Sequence, residues 1–200
     1  MSSTQTPQTH AYKPSYTTME EATPEDVKHI VGGLQNYVDP KYLTDFYCQL
    51  LVQLKHSTEG FPIDRYEHSL QSATLACRDG KDAEYVVCAL LHDVGEIFDP
   101  YAHDHVIAEL LKNYISPQNY FILKTHTTFQ GFYYWDKIGL NKHERDKFRD
   151  SPYFDACVEF VERYDDKAFS PTYENMPLEA FKPFMMDVFS KRKHNEALFD

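Results

Sequence analysis

Residues 85–95 read YVVCALLHDVG, so a histidine–aspartate pair, His92 and Asp93, follows seven consecutive apolar positions. A helix that is apolar on every side is typical of the centre of a protein. Burying the pair without partners would cost on the order of several kcal/mol. Coordination of a metal ion removes that cost, and Gly95 leaves room for close backbone packing beside the pair. This stretch therefore predicts a central, buried helix that carries polar groups for a metal.

The rest of the chain shows helical rather than strand periodicity. Thr23 followed by proline and two acidic residues predicts the start of a helix that continues through Leu34. Glycine and proline punctuate the later segments. We expect an all-α globule of seven to eight helices, with the further helical patterns at 40–56, 66–78, 81–98, 103–115, 117–135, 152–168 and 177–191.

Composition indicates a single folded unit. The chain has 200 residues, of which 42% are hydrophobic and 15% aromatic, enough for one core. Residues 1–24 are rich in Ser, Thr, Pro and Gln, which predicts a flexible N-terminal segment followed by a domain at 25–200. The net charge of −11 argues against nucleic acid and anionic lipid as partners.

The cysteines and the hydropathy pattern bear on the cellular setting. Four widely spaced cysteines within apolar patterns favour reduced, buried thiols, from which we expect a cytoplasmic protein. No stretch approaches the roughly 18 apolar residues of a membrane span. The oligomeric state is not predicted by any pattern.

Metal-ligand side chains recur on several predicted helices. Four imidazoles and two carboxylates can enclose two cations, with one carboxylate as a bridge, and a single structural zinc does not need so many ligands. The candidate ligands are His68, His92, Asp93, His103, His126 and Asp165.

Helical spacing selects His103 over its neighbour His105. His103 shares a face with Ile107 and Leu110, whereas His105 lies on the same side as Glu109. We therefore expect His103 to point inward.

The same reasoning selects Asp165 over Asp166. Asp165 follows the apolar Val161 by one helical turn, while Asp166 lines up with acidic residues on a solvated face. Asp165 is the predicted ligand.

Plainer interpretations exist for each of these residues. One buried histidine is more often a hydrogen-bonded core residue than a ligand, and an adjacent aspartate is common on surfaces. The joint occurrence of six such residues on inward faces favours a metal site.

Aromatic residues cluster after His126, in the segment FQGFYYW at 129–135. Phe129 and Phe132 are predicted to be core residues. Gln130, Tyr133 and Tyr134 can instead line the cavity that holds the metals. An aromatic wall there could hold an organic cation through cation–π attraction of roughly 0.5–2 kcal/mol.

The series H…HD…H…H…D resembles the HD-domain superfamily, over about residues 61–189. The phrases PIDRYEHSLQSA, ALLHDVGE, PYAHD, HTTFQGFYYW and ERYDDKAFSPTYENMPLEAF look like a branch that includes mixed-valent diiron oxygenases, which cleave organophosphonates. The resemblance implies an HD-domain helical bundle with two iron ions, Fe(II) and Fe(III). One iron would take His68, His92, Asp93 and Asp165, and the other His103, His126 and the shared Asp93.

The resemblance also implies a reaction. A 1-hydroxy organophosphonate, most specifically (1-hydroxy-2-(trimethylammonio)ethyl)phosphonate, would react with O2 to give glycine betaine and phosphate. Glu96 and Tyr134 are predicted for the cationic end of this substrate, and Gln130 and Arg163 for its anionic end. Tyr37 or Tyr42 could cap the iron, and the sequence leaves this role unassigned.

Two other functions stay open. A metal-dependent phosphohydrolase acting on a small phosphate ester would use the same ligands with Mn or another divalent metal and would need no O2. A binding or regulatory protein that retains a metal site without turnover is the third.

Overall fold

A computed structural model of the chain describes residues 12–58 and 60–193. Within these ranges the chain forms α-helices joined by short 3-10 turns, and no strand occurs in them. The prediction of an all-α fold with seven to eight helices is confirmed. The α-helices are α1 (Pro24–Leu34), α2 (Pro40–Gln53), α3 (Arg65–Arg78), α4 (Ala83–Leu91), α5 (His103–Leu111), α6 (Pro117–Gln130), α7 (Phe154–Phe160) and α8 (Leu178–Ser190).

Side-chain caps fix where several helices begin. Thr23 and Asp26 form a reciprocal capping box at the start of α1, as the sequence indicated. Asp64, Asp82 and Ser116 each accept a hydrogen bond from a backbone N–H in the first turn of α3, α4 and α6. These caps set the start of three of the helices that surround the candidate ligands.

Helix α4 is the centre of the fold. Every residue from Tyr85 to Leu91 is buried, and α4 packs against α3, α6 and α8. The prediction of a central, buried helix before the histidine–aspartate pair is therefore confirmed.

The prediction that this helix runs on to residue 98 is wrong. It ends at Leu91, and Asp93 adopts φ −96° and ψ 0°, in the bridge region rather than the helical one. A 3-10 turn, Val94–Ile97, follows. A Cβ on Gly95 would lie 2.1 Å from the carbonyl oxygen of His103, so the chain turns here to bring α5 against the pair. His92 and Asp93 thus lie in a turn at the end of the helix, not within it.

Helix α7 changes its winding before the last candidate ligand. Val161–Asp165 form a π-helical turn, in which the backbone N–H of Asp166 donates to the carbonyl of Val161 over 2.8 Å. Such turns occur frequently at functional sites. The segment predicted as one helix, 152–168, therefore divides into two helical types.

The N-terminal segment contacts α1 where the structure describes it. Of residues 1–24, residues 1–11 lie outside the described part, and Tyr12 stacks on His29 with ring centroids 3.8 Å apart. Tyr12 also donates a hydrogen bond to Asp26.

The cysteines lie mostly in the interior. All four cysteines are free thiols, and Cys48, Cys88 and Cys157 are buried. Among the described residues, none of the helices has the length and apolar character needed to cross a bilayer.

Candidate metal centre

Six side chains from five parts of the chain converge beside the end of α4. α3 contributes one histidine, the turn after α4 contributes the pair, α5 and α6 contribute one histidine each, and the π-helical turn contributes an aspartate. They are the six candidate ligands of the sequence: His68, His92, Asp93, His103, His126 and Asp165.

Asp93 lies between two pairs of histidines. Its Oδ2 is 3.5 Å from His68 Nε2 and 3.4 Å from His92 Nε2. Its Oδ1 is 3.5 Å from His103 Nε2 and 3.6 Å from His126 Nε2. Each oxygen of one carboxylate therefore faces its own imidazole pair, which is the arrangement of a bridging ligand.

Asp165 joins the first pair only. Its Oδ1 is 3.3 Å from His68 Nε2 and 3.7 Å from His92 Nε2. Asp165 is fully buried, and its Oδ2 has no hydrogen-bond partner. Because buried carboxylate oxygens are normally paired, this atom indicates that a cation belongs beside it.

The backbone orients all four imidazoles. Their Nδ1 atoms lie 2.8–3.0 Å from backbone carbonyl oxygens, which accept the Nδ1 proton. The Nε2 atoms of the neutral rings then carry lone pairs, and these lone pairs point into the cluster. The carbonyls belong to Ala168 for His68, Ala89 for His92, Pro100 for His103 and Leu123 for His126.

The paired imidazoles are unusually close for groups with no proton between them. His68 and His92 have their Nε2 atoms 3.1 Å apart, and those of His103 and His126 are 3.2 Å apart. Ligand nitrogens about 2.1 Å from a shared ion lie about 3.0 Å apart in octahedral and about 3.4 Å apart in tetrahedral coordination. The donor set therefore fits one cation in each pair.

The histidines and aspartates of the cluster stabilise each other's charged forms. Burial opposes ionisation of Asp93, but the four surrounding histidines outweigh it and hold the pKa of this carboxyl well below its usual range. Without a cation, burial likewise opposes the charged form of His68, yet its hydrogen bond to Asp165 and the charge of Asp93 raise its pKa. A bound cation would take the place of the proton on Nε2. Both carboxylates are ionised at neutral pH, as ligands of a cation must be.

The first pair is sealed and the second is more open. The side chains of His92 and Asp165 are 0% exposed and that of His68 is 4% exposed, whereas His103 is 11% and Asp93 13% exposed. Phe160 covers the closed side, with its ring edge-on to those of His92 and His126. Asp93 and His103 therefore form the more accessible side of the cluster.

Arg65 and Glu96 lie at this open side. They form an ion pair whose side chains are 20% and 11% exposed, and Glu96 Oε1 is 3.9 Å from His103 Nδ1. Burial and the neighbouring charge of Asp93 raise the pKa of Glu96 to about 7. Glu96 was predicted from the sequence and Arg65 was not, although the position of Arg65, three residues before His68 on α3, indicates that the two share a helix face.

Two aromatic rings at this side, Phe61 and Phe169, were also not predicted from the sequence. Phe169 stacks on His68 with centroids 4.5 Å apart, and Phe61 stacks on Phe169 at 5.4 Å. The Arg65 guanidinium lies 5.4 Å from the centre of the Phe61 ring. No periodicity signals these contacts, because Phe61 and Phe169 lie outside the helices.

The structure places the predicted substrate contacts differently. Gln130 lies at the cluster, where its amide nitrogen donates to Asp165 Oδ1 over 2.8 Å and so supports a candidate ligand. Tyr134 is 38% exposed on the 3-10 segment after α6. Within the described residues, no ring contact or hydrogen bond joins Tyr134 to Glu96.

Arg163 does not support its predicted role. Its guanidinium pairs with Asp79 at 2.6 Å and Glu159 at 3.4 Å, with the side chain 53% exposed. A residue two positions before Asp165 on a helix points to a different side from it, so Arg163 cannot share its cavity. The prediction of an anion contact at Arg163 is therefore corrected.

The inward and outward faces follow the predicted spacing. The His103 side chain is 11% exposed, while the His105 side chain is 62% exposed and donates a hydrogen bond to the neighbouring Asp104. The Asp166 side chain is 27% exposed and pairs with Lys167.

The aromatic residues have mixed positions. Phe129 is fully buried, as predicted, but Phe132 is only partly buried, with the Arg145 guanidinium 3.6 Å from the centre of its ring. Tyr37 and Tyr42 pack edge-on against each other, with centroids 5.7 Å apart.

Comparison with known proteins agrees with this geometry. No curated protein gives a significant match to the chain. The family model described as the HD domain matches residues 65–150, a range that contains five of the six candidate ligands and ends before Asp165. Over these residues the chain is similar to the HD domain, and the all-helical fold and the cluster able to hold metal are consistent with that similarity.

Proposed function

We propose that the chain is a non-heme diiron oxygenase that uses O2 to cleave the carbon–phosphorus bond of a 1-hydroxy organophosphonate. The proposal of two metal ions rests on Asp93, because each of its two carboxylate oxygens faces a separate pair of imidazole nitrogens at 3.4–3.6 Å. The oxygenase part and the substrate rest on the motif resemblance to the diiron branch of the superfamily.

The proposed substrate is (1-hydroxy-2-(trimethylammonio)ethyl)phosphonate, and the products are glycine betaine and phosphate. The reaction balances with one O2, of which one oxygen atom enters the carboxylate and the other the phosphate. Bound iron supplies the redox chemistry that lets O2 react with the carbon that bears the hydroxyl.

The chain's own residues hold and shield the centre. His68, His92 and Asp165 would hold one ion with Asp93, while His103 and His126 would hold the other. Backbone carbonyls fix the four imidazoles. The Gln130 amide orients Asp165, and Phe160 excludes water from the closed side. Substrate and O2 would approach at the partly exposed edge of Asp93 and His103.

A phosphohydrolase is the second candidate. The donor set contains nitrogen and oxygen atoms and no thiolate, so it also suits Mn and other divalent metals. A metal ion in such a site can polarise a phosphate ester and lower the pKa of a bound water molecule.

An oxygen-electrode assay separates the two functions. Iron-loaded protein is mixed with the hydroxyphosphonate, and O2 uptake, phosphate and glycine betaine are measured together. We expect equal amounts of all three and no phosphate under argon. Phosphate release from simple esters under argon, with no O2 uptake on the phosphonate, would establish the hydrolase instead.

A further inference from the structure

Arg65 is the cation placed at the open side of the candidate metal centre. It begins α3, three residues before His68, so the two side chains leave the helix on the same face. It forms an ion pair with Glu96, and the Oε1 of Glu96 lies 3.9 Å from the Nδ1 of His103. Arg65 therefore lies near both histidine pairs: it shares a helix face with His68, and Glu96 connects it to His103.

Contacts with Glu96 and Phe61 help to hold the guanidinium in this place. Glu96 pairs with its Nη1, and the Phe61 ring lies 5.4 Å from its central carbon. Phe61 is stacked on Phe169, which is stacked on His68. An arginine held by a carboxylate and an aromatic ring is pre-organised, so it loses little conformational entropy when it binds a ligand.

Arg65 is more exposed than the groups between it and the metal centre. Its side chain is 20% exposed, against 11% for Glu96 and His103, 13% for Asp93 and 0% for His92. A ligand that approaches the open side thus meets Arg65 at the entrance. In a chain with a net charge of −11, a local cation is needed to attract an anion there.

We propose that Arg65 binds the phosphonate or phosphate group of the substrate and is a specificity-determining residue for small phosphorus oxyanions. A guanidinium carries five N–H donors in a planar fork that matches the oxygens of such an anion. This inference rests on the proposed function, since it assigns a residue to the anionic end of that substrate.

Calorimetric titration with methylphosphonate and with inorganic phosphate tests this role without turnover. Wild-type protein, Arg65→Gln and Arg65→Lys are loaded with the same metal, and their metal content is measured first. We expect unchanged metal content and a dissociation constant for methylphosphonate that rises about 10- to 100-fold in Arg65→Gln, as the loss of a charged hydrogen-bonding partner predicts. Arg65→Lys keeps a charge for Glu96 but lacks the fork, so its affinity should fall between the two.

Arg163→Gln is the matched control. It removes the same charge from an exposed arginine that pairs with Asp79, away from the candidate ligands. We expect it to bind methylphosphonate as the wild type does. Equal weakening in Arg163→Gln and Arg65→Gln would assign the effect to net charge and overturn the inference.

Other outcomes separate this inference from the proposed function. Wild-type affinity in both Arg65 variants, alongside O2-dependent cleavage by the wild type, would refute the role of Arg65 and leave the oxygenase standing. Arg65-dependent binding of methylphosphonate without any O2-dependent cleavage would support the anion site and refute the oxygenase.

Discussion

Gly95 offers the sharpest test of how the fold builds the second histidine pair. A Cβ at this position would lie 2.1 Å from the His103 carbonyl oxygen and 2.8 Å from both its carbonyl carbon and its Cα. These are backbone atoms at the start of α5, so no side-chain rotation can relieve the overlap. In Gly95→Ala the chain must separate the 3-10 turn from α5.

The size of this displacement follows from the distances. Real Cβ contacts essentially never fall under 3.0 Å, so the 2.1 Å gap must widen by about 0.9 Å. Metal–ligand distances tolerate only about 0.2 Å, so a His103 displaced with its backbone leaves the second position without one of its three ligands. Overpacking of this kind costs about 1–3 kcal/mol. For a chain of this size that corresponds to a fall in Tm of about 2–12 °C.

Metal analysis and thermal unfolding measure the two effects separately. We expect Gly95→Ala to hold about one metal ion per chain in place of two, and to unfold at a lower temperature even without metal. Gly33→Ala is the control, because no atom lies within 4 Å of its added Cβ and it should leave metal content unchanged. Within α1 that change should raise stability by up to about 1 kcal/mol. Two metal ions and a wild-type Tm in Gly95→Ala would refute this reasoning.

Three further predictions concern the ligands and their supports. Asp93→Ala should lose both metal ions, since it removes the bridge, whereas the exposed His105→Ala should keep both; retention of either ion by Asp93→Ala would contradict the bridging role. Gln71, which is 1% exposed, accepts from the backbone N–H of Ser170 and donates to its carbonyl, both over 2.9 Å. Gln71→Leu should therefore loosen the loop at Ala168–Ser170 that orients His68, and lower the metal affinity about 10- to 100-fold. Competition with a chelator measures this affinity, and an unchanged value would show that the loop keeps its position without Gln71. Metal at a free concentration 100 times its Kd should add about 2.7 kcal/mol to the free energy of unfolding. Removing the metal with a chelator should therefore lower Tm. An unchanged Tm would mean that no ion stabilises the folded state.

The sequence predicted the parts of the structure that depend on local spacing. Helical periodicity identified the buried α4 and distinguished the inward His103 from the exposed His105. The need to pair buried charges indicated that distant residues such as His68 and Asp165 would converge. These features follow from burial and from the geometry of one helix at a time.

The parts that were missed depend on tertiary contacts. Continuous apolar character gave no sign that α4 ends at Leu91, because close packing of Gly95 on His103 determines the turn. The π-helical turn before Asp165 is set by the packing of α7. Arg65 and Arg163 are both plausible cations in the sequence, and only their partners, Glu96 and Asp79, separate them.

The carbonyl partners of the four imidazoles imply an order of assembly. His103 and His126 each bond a carbonyl three residues earlier, and their helices α5 and α6 are consecutive. His68 instead depends on the carbonyl of Ala168, 100 positions along the chain. During folding, the second pair can therefore form while the C-terminal third is still unstructured, whereas the first pair must wait for it. A chain still emerging from the ribosome would thus be expected to capture its first ion at the pair that ends up nearer the solvent.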